Sequence, residues 1–234
     1  MHLLHLKSCP IEEQLLLEER LLRQNEDNWC ILNEGSPRTI VMGISGKKDE
    51  LVDCKKAEQD GIDVIKRFSG GGTVIVDENT LFITFIGQKK HFPFPAFPEP
   101  IMRWTEEIYR DVFQDSRFSL KENDYIMEDR KCGGNAQYIK KDRWLHHTSF
   151  LWDYSKDNMK YLLHPKKTPP YRAGRSHEDF LCRMADFFSE KEVFIQRFIL
   201  EMEKRFPLKK ILLEEALAMT KMHHLINTGS ISHC

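Results

Sequence analysis

Three short stretches of this chain combine cations, backbone freedom and polar side chains at spacings that could serve chemistry on a charged ligand. The first is Lys66-Arg67-Phe68-Ser69-Gly70-Gly71-Gly72-Thr73-Val74-Ile75-Val76-Asp77. Glycine admits positive φ and lets another molecule approach the main chain without meeting a Cβ. Bare amides in a turn beside a Lys-Arg pair suit an anion such as a phosphate. Taken alone, the triplet also fits a glycine-rich hairpin with no ligand. The second stretch, Asp129-Arg130-Lys131-Cys132-Gly133-Gly134-Asn135-Ala136-Gln137, again sets cations next to glycines, just ahead of a strand. The third, His146-His147-Thr148-Ser149, follows one hairpin later. If the strands around Lys140–Asp142 pair, the histidines return near Lys131 to Asn135. Two glycine turns with adjacent cations suit a ligand with a phosphate and a second polar end.

Strands must carry these turns. Ile62–Arg67 and Thr73–Asp77 flank the glycine triplet, and Leu81–Ile86 is apolar on both alternating faces, the pattern of a strand covered on both sides. Trp29–Leu32 and Thr39–Met42 read as strands split by the Gly35-Ser36-Pro37 turn. Tyr125–Met127, Asn135–Ile139 and Arg143–Trp152 read as further strands, with a hairpin turn at Lys140–Asp142. Pro10–Gln24 reads as a helix, with proline in its first turn. The four prolines of His91–Pro100 form a rigid loop ahead of a second helix, in which Ile101, Trp104, Ile108 and Val112 recur at helical spacing. Lys156–Leu163, His177–Met184, Val193–Arg205 and Glu214–Ile226 are helical by pattern, with a strand at Leu208–Leu213. No internal repeat is present. This order predicts an α+β domain with a mixed, largely antiparallel sheet flanked by helices. No G-x-G-x-x-G opens a helix, which disfavours a Rossmann fold.

The bulk composition narrows the function classes. A chain of 234 residues with 41% apolar residues can build a core as one large domain. Its net charge is −1 with interleaved signs, against nucleic-acid binding through a broad basic field. The six cysteines, at 9, 30, 54, 132, 182 and 234, form no C-x-x-C pair, so a reducing compartment is expected. No apolar run nears the ~20 residues of a membrane helix. Early acids at Glu12 and Glu13 and the lack of an apolar h-region predict no secretory signal. The cytoplasm is the default compartment, and an organelle is compatible with the same reading.

Taken together, the motifs resemble the catalytic domain of the lipoate-protein ligase A and biotin-ligase family. Arg67 to Val74, followed by Asp77, looks like its glycine signature, and Arg130 to Ala136 looks like its lysine signature. His146-His147-Thr148-Ser149 is similar to the His-His-Gly-Thr element of lipoate ligases. Asn123-Asp124 matches the Asn-Asp ahead of the lysine motif, and Glu18-Glu19 with Leu21-Leu22 resembles the acidic, leucine-rich first helix. The similarity runs in unbroken order over about residues 10 to 165.

The resemblance implies a two-step reaction in which lipoate and ATP give lipoyl-adenylate, and the acyl group then passes to a lysine of an acceptor domain. It implies ATP and lipoate as substrates and Mg²⁺ as helper ion. The implied acceptors are lipoyl domains of 2-oxoacid dehydrogenase complexes or the glycine cleavage H protein, with no nucleic-acid or membrane partner. Lys131 would hold the carboxylate and phosphate oxygens and then the acyl oxygen, where charge builds in the transition state. Arg67 would contact the acyl or phosphate end. Ser69, Gly70, Gly71, Gly72 and Thr73 would wall the acyl-adenylate junction. Gly134, Asn135 and Ala136 would line the nucleotide side, and His147 would orient the lysine segment or touch ligand. Asp77 is expected to fix the end of its strand. Val74 and Phe85 are expected to face an apolar groove for the acyl chain.

Two departures stand out. Lys66 replaces the first arginine of the family's pair, and Thr148 follows the histidines without the usual glycine. The expectation is a single catalytic domain over 1–234, with a helical C-terminal portion at 190–234, no full accessory domain and a separate accessory chain as partner. A rival is octanoyl or lipoyl transfer from an acyl carrier protein, or from a preformed acyl-adenylate; the carrier-protein route needs an activated thiolate. Cys132 and Cys182 are its candidates, though each is expected to be a buried structural cysteine. A third reading is a non-catalytic protein that binds lipoate or a lipoylated domain.

Overall fold

Residues 80–88, apolar on both faces, form the spine of the molecule, buried at every position but the last. The computed structural model describes residues 1–164, 168–220 and 228–230. In chain order the elements are β1 (His2–Lys7), α1 (Ile11–Gln24), β2 (Trp29–Glu34), β3 (Thr39–Met42), α2 (Lys48–Leu51), α3 (Cys54–Gln59), β4 (Asp63–Lys66), β5 (Val74–Val76) and β6 (Thr80–Gln88). There follow α4 (Pro98–Phe113), β7 (Phe118–Lys121), β8 (Asp124–Met127), β9 (Arg130–Ile139), β10 (Arg143–Leu151), α5 (His177–Phe180), α6 (Lys191–Arg205), β11 (Lys209–Ile211), α7 (Leu213–Ala218) and β12 (Gly229–Ser230).

The strands form an eight-stranded sheet, β11-β1-β2-β6-β10-β9-β8-β7, and a four-stranded sheet, β12-β4-β3-β5. In the large sheet only β1 pairs parallel, with β2 and with β11. The small sheet has one parallel pair, β3 with β4. The fold is therefore α+β and largely antiparallel.

Each long helix follows from its sequence. In α1, Glu12 and Glu13 lie in the first turn and Arg23 in the last, each favoured there by the helix dipole. Helix α4 carries Pro98 in its first turn and stops where Gln114 turns left-handed at φ 52°. It packs Ile101, Ile108, Tyr109, Val112 and Phe113 into a core shared with Phe194 and Phe198 of α6. Each such side chain stabilises the fold by roughly 1.5–3 kcal/mol. On the other face, Leu17, Leu21 and Leu22 of α1 pack with Trp29, Phe68 and Leu145. Ile11 and Leu15 pack with Val41, Val76 and Phe82, joining the two sheets.

Several expectations need correction. The chain gains β1, α2, α3 and β7 over the predicted elements. The predicted helices at 156–163 and 177–184 are 3-10 turns and one short α-helix. The last predicted helix ends at Ala218, Met219 and Thr220 follow it as a turn, and 221–226 lie outside the described residues. The glycine triplet is not a hairpin. β4 and β5 do not pair with each other; both pair with β3, one on each side. The loop between them therefore crosses over the end of β3.

Candidate active site

Arg67 holds that crossing in shape. Its guanidinium donates to the Gly72 carbonyl at 2.8 Å and the Gly70 carbonyl at 3.1 Å from Nη2, and to the Val41 carbonyl at 3.4 Å from Nη1. The side chain is buried, and burial lowers its pKa to about 10, opposed by the charge of Glu18. It stays charged at neutral pH. The direct ligand contact expected of Arg67 is thus not where its donors point; they close the loop instead.

Gly71 is required by geometry. Its φ is +110°, and a Cβ there would stand 2.6 Å from Arg67 Nη2 and 3.1 Å from the Asn135 carbonyl oxygen. Gly70 and Gly72 differ. Neither has a left-handed φ, a Cβ on Gly72 would meet nothing within 4 Å, and one on Gly70 would meet only Gln137 O at 3.9 Å. No protein contact excludes a side chain at either position. Beside them, Ser69 Oγ and Thr73 Oγ1 are buried with no hydrogen-bond partner. Asp77 holds the turn, accepting from the Asn79 amide at 2.9 Å and from Asn158 Nδ2 at 2.9 Å.

The lysine signature lies within β9 rather than in a turn ahead of it. Gly70 N donates to Gln137 O at 3.2 Å, so the glycine loop rests directly on this strand. The β8–β9 ladder slips between Tyr125 and Ile126: Tyr125 opposes Gly133, but Ile126 opposes Lys131. Cys132 is the extra residue. Such a bulge re-aims the side chains that follow it. Here it puts Lys131 on the same face as Gly134 and Asp124, although Lys131 and Gly134 are three residues apart. Lys131 Nζ lies 2.7 Å from Asp124 Oδ1, and a Cβ on Gly134 would come within 3.1 Å of that amine. Gly134 leaves the lysine its room. Asn135 is occupied by the protein, donating to Asn123 O at 3.0 Å and accepting from Thr148 Oγ1 at 2.8 Å. Ala136 is buried under the glycine loop.

The histidines return to this strand as the pairing requires: His147 opposes Ala136 and Thr148 opposes Asn135. His147 Nδ1 lies 3.1 Å from Glu18 Oε1 and 2.9 Å from Thr84 Oγ1. Glu18 also accepts from Gln14 and Thr84, each at 2.7 Å. His147 is an acid-anchored core residue behind the loop. His146 points the other way, toward Thr105, Gln137 and Thr148, and burial pulls its pKa down to about 3.

A third wall comes from residues 170–182. The Tyr171 hydroxyl donates to Asp124 Oδ2 at 2.7 Å, and the Cys182 amide donates to the Lys131 carbonyl at 2.9 Å. Arg175 clamps the segment to Asp129 at 2.9 Å. Arg172 is buried, and its Nη2 has no partner. His177 is pulled below its ordinary value by burial, and then by the charges of Arg172, His164 and Lys131. Through Tyr171 and Cys182 this segment packs against Asp124 and Lys131.

Residues 10–207 match the family described as Lipoyl protein ligase A/B catalytic domain. The chain belongs to this family. Among its relatives, the Inactive lipoate–protein ligase 2 of Plasmodium falciparum (isolate 3D7) is 29% identical over 80% of this chain and 65% of its own length. The lipoate-protein ligase LplJ of Bacillus subtilis (strain 168) is 28% identical over 71% of this chain and 50% of its own. The chain therefore spans about half to two thirds of the length of these curated relatives. The fold is that of a bipartite lipoate protein ligase from Thermoplasma acidophilum, studied with its E2 lipoyl domain (TM-score 0.77, 17% identity, 93% and 89% of the two chains). A lipoate-protein ligase A bound with ATP aligns similarly (TM-score 0.74, 18% identity, 93% and 91%).

Cys132 is fully buried, and burial pushes its thiol well above the ordinary range. Cys182 Sγ points to the Arg130 carbonyl at 3.4 Å, beside Cys132. The expected groove of Val74 and Phe85 does not form: Phe85 packs against Trp104 and Phe198, whereas Val74 packs with Ile65 and Phe82. Sequence reasoning missed Tyr171, Arg172 and His177; His177 entered only as the first residue of the 177–184 helical pattern, and the other two lay between predicted elements. Among the described residues no helix is long and apolar enough to cross a membrane.

Proposed function

We propose that this chain is a lipoate-protein ligase catalytic unit, a single domain that works with a separate accessory chain. A lipoate carboxylate oxygen attacks the α-phosphorus of ATP, the bond to the β-phosphate oxygen breaks, and pyrophosphate leaves. The amine of an acceptor lysine then attacks the acyl carbon, loses a proton and expels AMP. The observation that carries this reading is the placement of two unlike devices on one strand. A glycine loop lies over residues 135–137, and an ammonium on a carboxylate partner lies at residue 131. The strand between them spans roughly 15 Å at 3.3 Å per residue. An extended acyl-adenylate suits that span.

Each part of the site supports a step. Gly70 and Gly72 leave main chain open to close approach, and the idle hydroxyls of Ser69 and Thr73 offer donors once the loop shifts. Lys131 can exchange Asp124 for phosphoryl or acyl oxygen as charge builds there. The unpartnered Nη2 of buried Arg172 is the proposed partner of an outer phosphate. Asp124, which now accepts from Lys131 and Tyr171, is the carboxylate that would hold a Mg²⁺ ion brought with the nucleotide, and the ion would there offset phosphate charge. Lipoyl domains and the glycine cleavage H protein are the proposed acceptors.

The test is an incubation with ATP, lipoate and a lipoyl-acceptor domain, with and without an accessory chain, read by acceptor mass. A lipoyl mass shift that needs ATP is expected. Tight lipoate binding without acyl-AMP or transfer under both conditions would replace this reading with the non-catalytic one. Transfer from an octanoyl carrier protein without ATP, lost in Cys182→Ser, would replace it with the transferase.

A further inference from the structure

The far end of β9 lies roughly 26 Å from Lys131 at 3.3 Å per residue. There a basin of about 630 Å³ opens between the end of α1, the end of β6 and the β9–β10 turn. Backbone bonds tie the three segments together: Lys89 N donates to Asp142 O at 2.9 Å, and Lys140 N to Arg143 O at 2.8 Å. Gln88 N donates to Asn28 Oδ1 at 2.8 Å. Arg23, Lys89, Lys90, Lys140, Lys141 and Arg143 line the basin, against only Glu26 and Asp142. Arg23 is committed to Glu19 at 2.8 Å. Among the described residues no carboxylate is bonded to any of the other five cations.

Arg143 is the decisive side chain. It is only 8% exposed. Its one hydrogen bond runs from Nη2 to the Asp27 carbonyl at 2.9 Å, and its Nε and Nη1 are buried with no partner. A buried charge without a counter-charge or a full set of acceptors is costly. Burial accordingly pulls Arg143 below its ordinary value, with Asp27 and Glu26 opposing. The fold pins this residue in the turn, so the economical remedy is an anion in the basin. Five uncommitted cations facing two acids leave an excess of three positive charges. Lysines act as point charges for phosphate, and arginine adds a planar set of donors.

We infer that this basin is a second binding site, distinct from the glycine-lysine site, for a small compound with two or three linked phosphates, seated against Arg143 and fenced by Lys89, Lys140 and Lys141. The site is separate from the ligase reading and stands or falls without it.

The experiment is calorimetric titration of the whole chain with pyrophosphate and with tripolyphosphate at moderate salt. Saturable binding is expected, tighter for tripolyphosphate. The Lys89→Ala/Lys140→Ala/Lys141→Ala variant should weaken it about tenfold or more. A saturable binding event should persist in Lys131→Ala, which removes the cation of the other site and leaves the basin intact. Arg143→Leu should abolish it; if that variant does not fold, the triple lysine variant decides alone. No saturable binding, equal affinity in the triple variant, or loss in Lys131→Ala overturns the inference. A triple variant that raises KM for the acceptor domain, in a chain that binds neither phosphate probe, overturns it in favour of an acidic protein surface.

Discussion

The glycine loop and the lysine strand each carry one notable cation, and the two are used in opposite ways. Arg67 is buried and spends its donors on carbonyls of its own loop and of β3. Lys131 keeps 21% of its side chain exposed and rests on a single carboxylate. A carbonyl cannot follow a departing guanidinium, so Arg67 is a fixed structural prop. A carboxylate at the rim can be exchanged for a phosphate oxygen, so Lys131 is available to a ligand. Adjacent motifs of similar composition therefore need not hold similar roles: burial and partner type decide which cation is free to act.

This contrast can be broken by substitution. The largest effect is expected from Lys131→Ala, which should lower the rate of acyl transfer by about a hundredfold to a thousandfold. Its thermal stability should change by less than about 1 kcal/mol, because the ion pair is partly exposed. Arg67→Met should do the reverse. It strands buried carbonyls and should cost about 3 kcal/mol in chemical denaturation. Were Arg67→Met fully stable but inactive, the two roles would have to be merged. Gly72→Ala sharpens the comparison within the loop. The fold has room for that methyl, so stability should hold while KM for lipoate or ATP rises about tenfold, near 1.4 kcal/mol. Gly71→Ala, which meets Arg67, should instead unfold more readily.

The last effect concerns His146 and shows only on the acid side. Burial lowers its pKa from 6.5 to about 3. Between those values the unfolded chain takes up a proton that the folded chain refuses. Its contribution is therefore complete above pH 6.5 and drains away as pH falls toward 3, by at most about 1.4 kcal/mol per pH unit. His146→Asn should flatten the acid limb of the stability curve, measured by denaturant midpoints between pH 4 and 7. An unchanged limb would mean that other groups set it.

Local patterns in the chain carried the elements well and their partners poorly. The unbroken apolar run of β6 and the periodic faces of α1 and α4 were readable, because burial on two faces or one stripe leaves a repeat. Strand β1 escaped notice because its pairing with β2 and β11 joins distant parts of the chain. The crossing of the glycine loop escaped for the same reason, since adjacency in sequence suggests a hairpin and only β3 forbids it. At the site, Lys131 and the glycines announced themselves by composition. Tyr171, Arg172 and His177 did not, since they reach Asp124 and Lys131 only through tertiary folding.

The bulge at Cys132 makes the spacing of the lysine signature a matter of parity. In an even ladder, residues three apart face opposite sides, so a lysine and a glycine meant to meet would sit two or four apart. Here the odd interval from Lys131 to Gly134 works because one residue is not counted by the opposing strand. Deleting Cys132 would leave Lys131 two residues from Gly134 in a regular ladder, so the ammonium would keep its face toward Asp124 and only the local kink of the bulge would be lost.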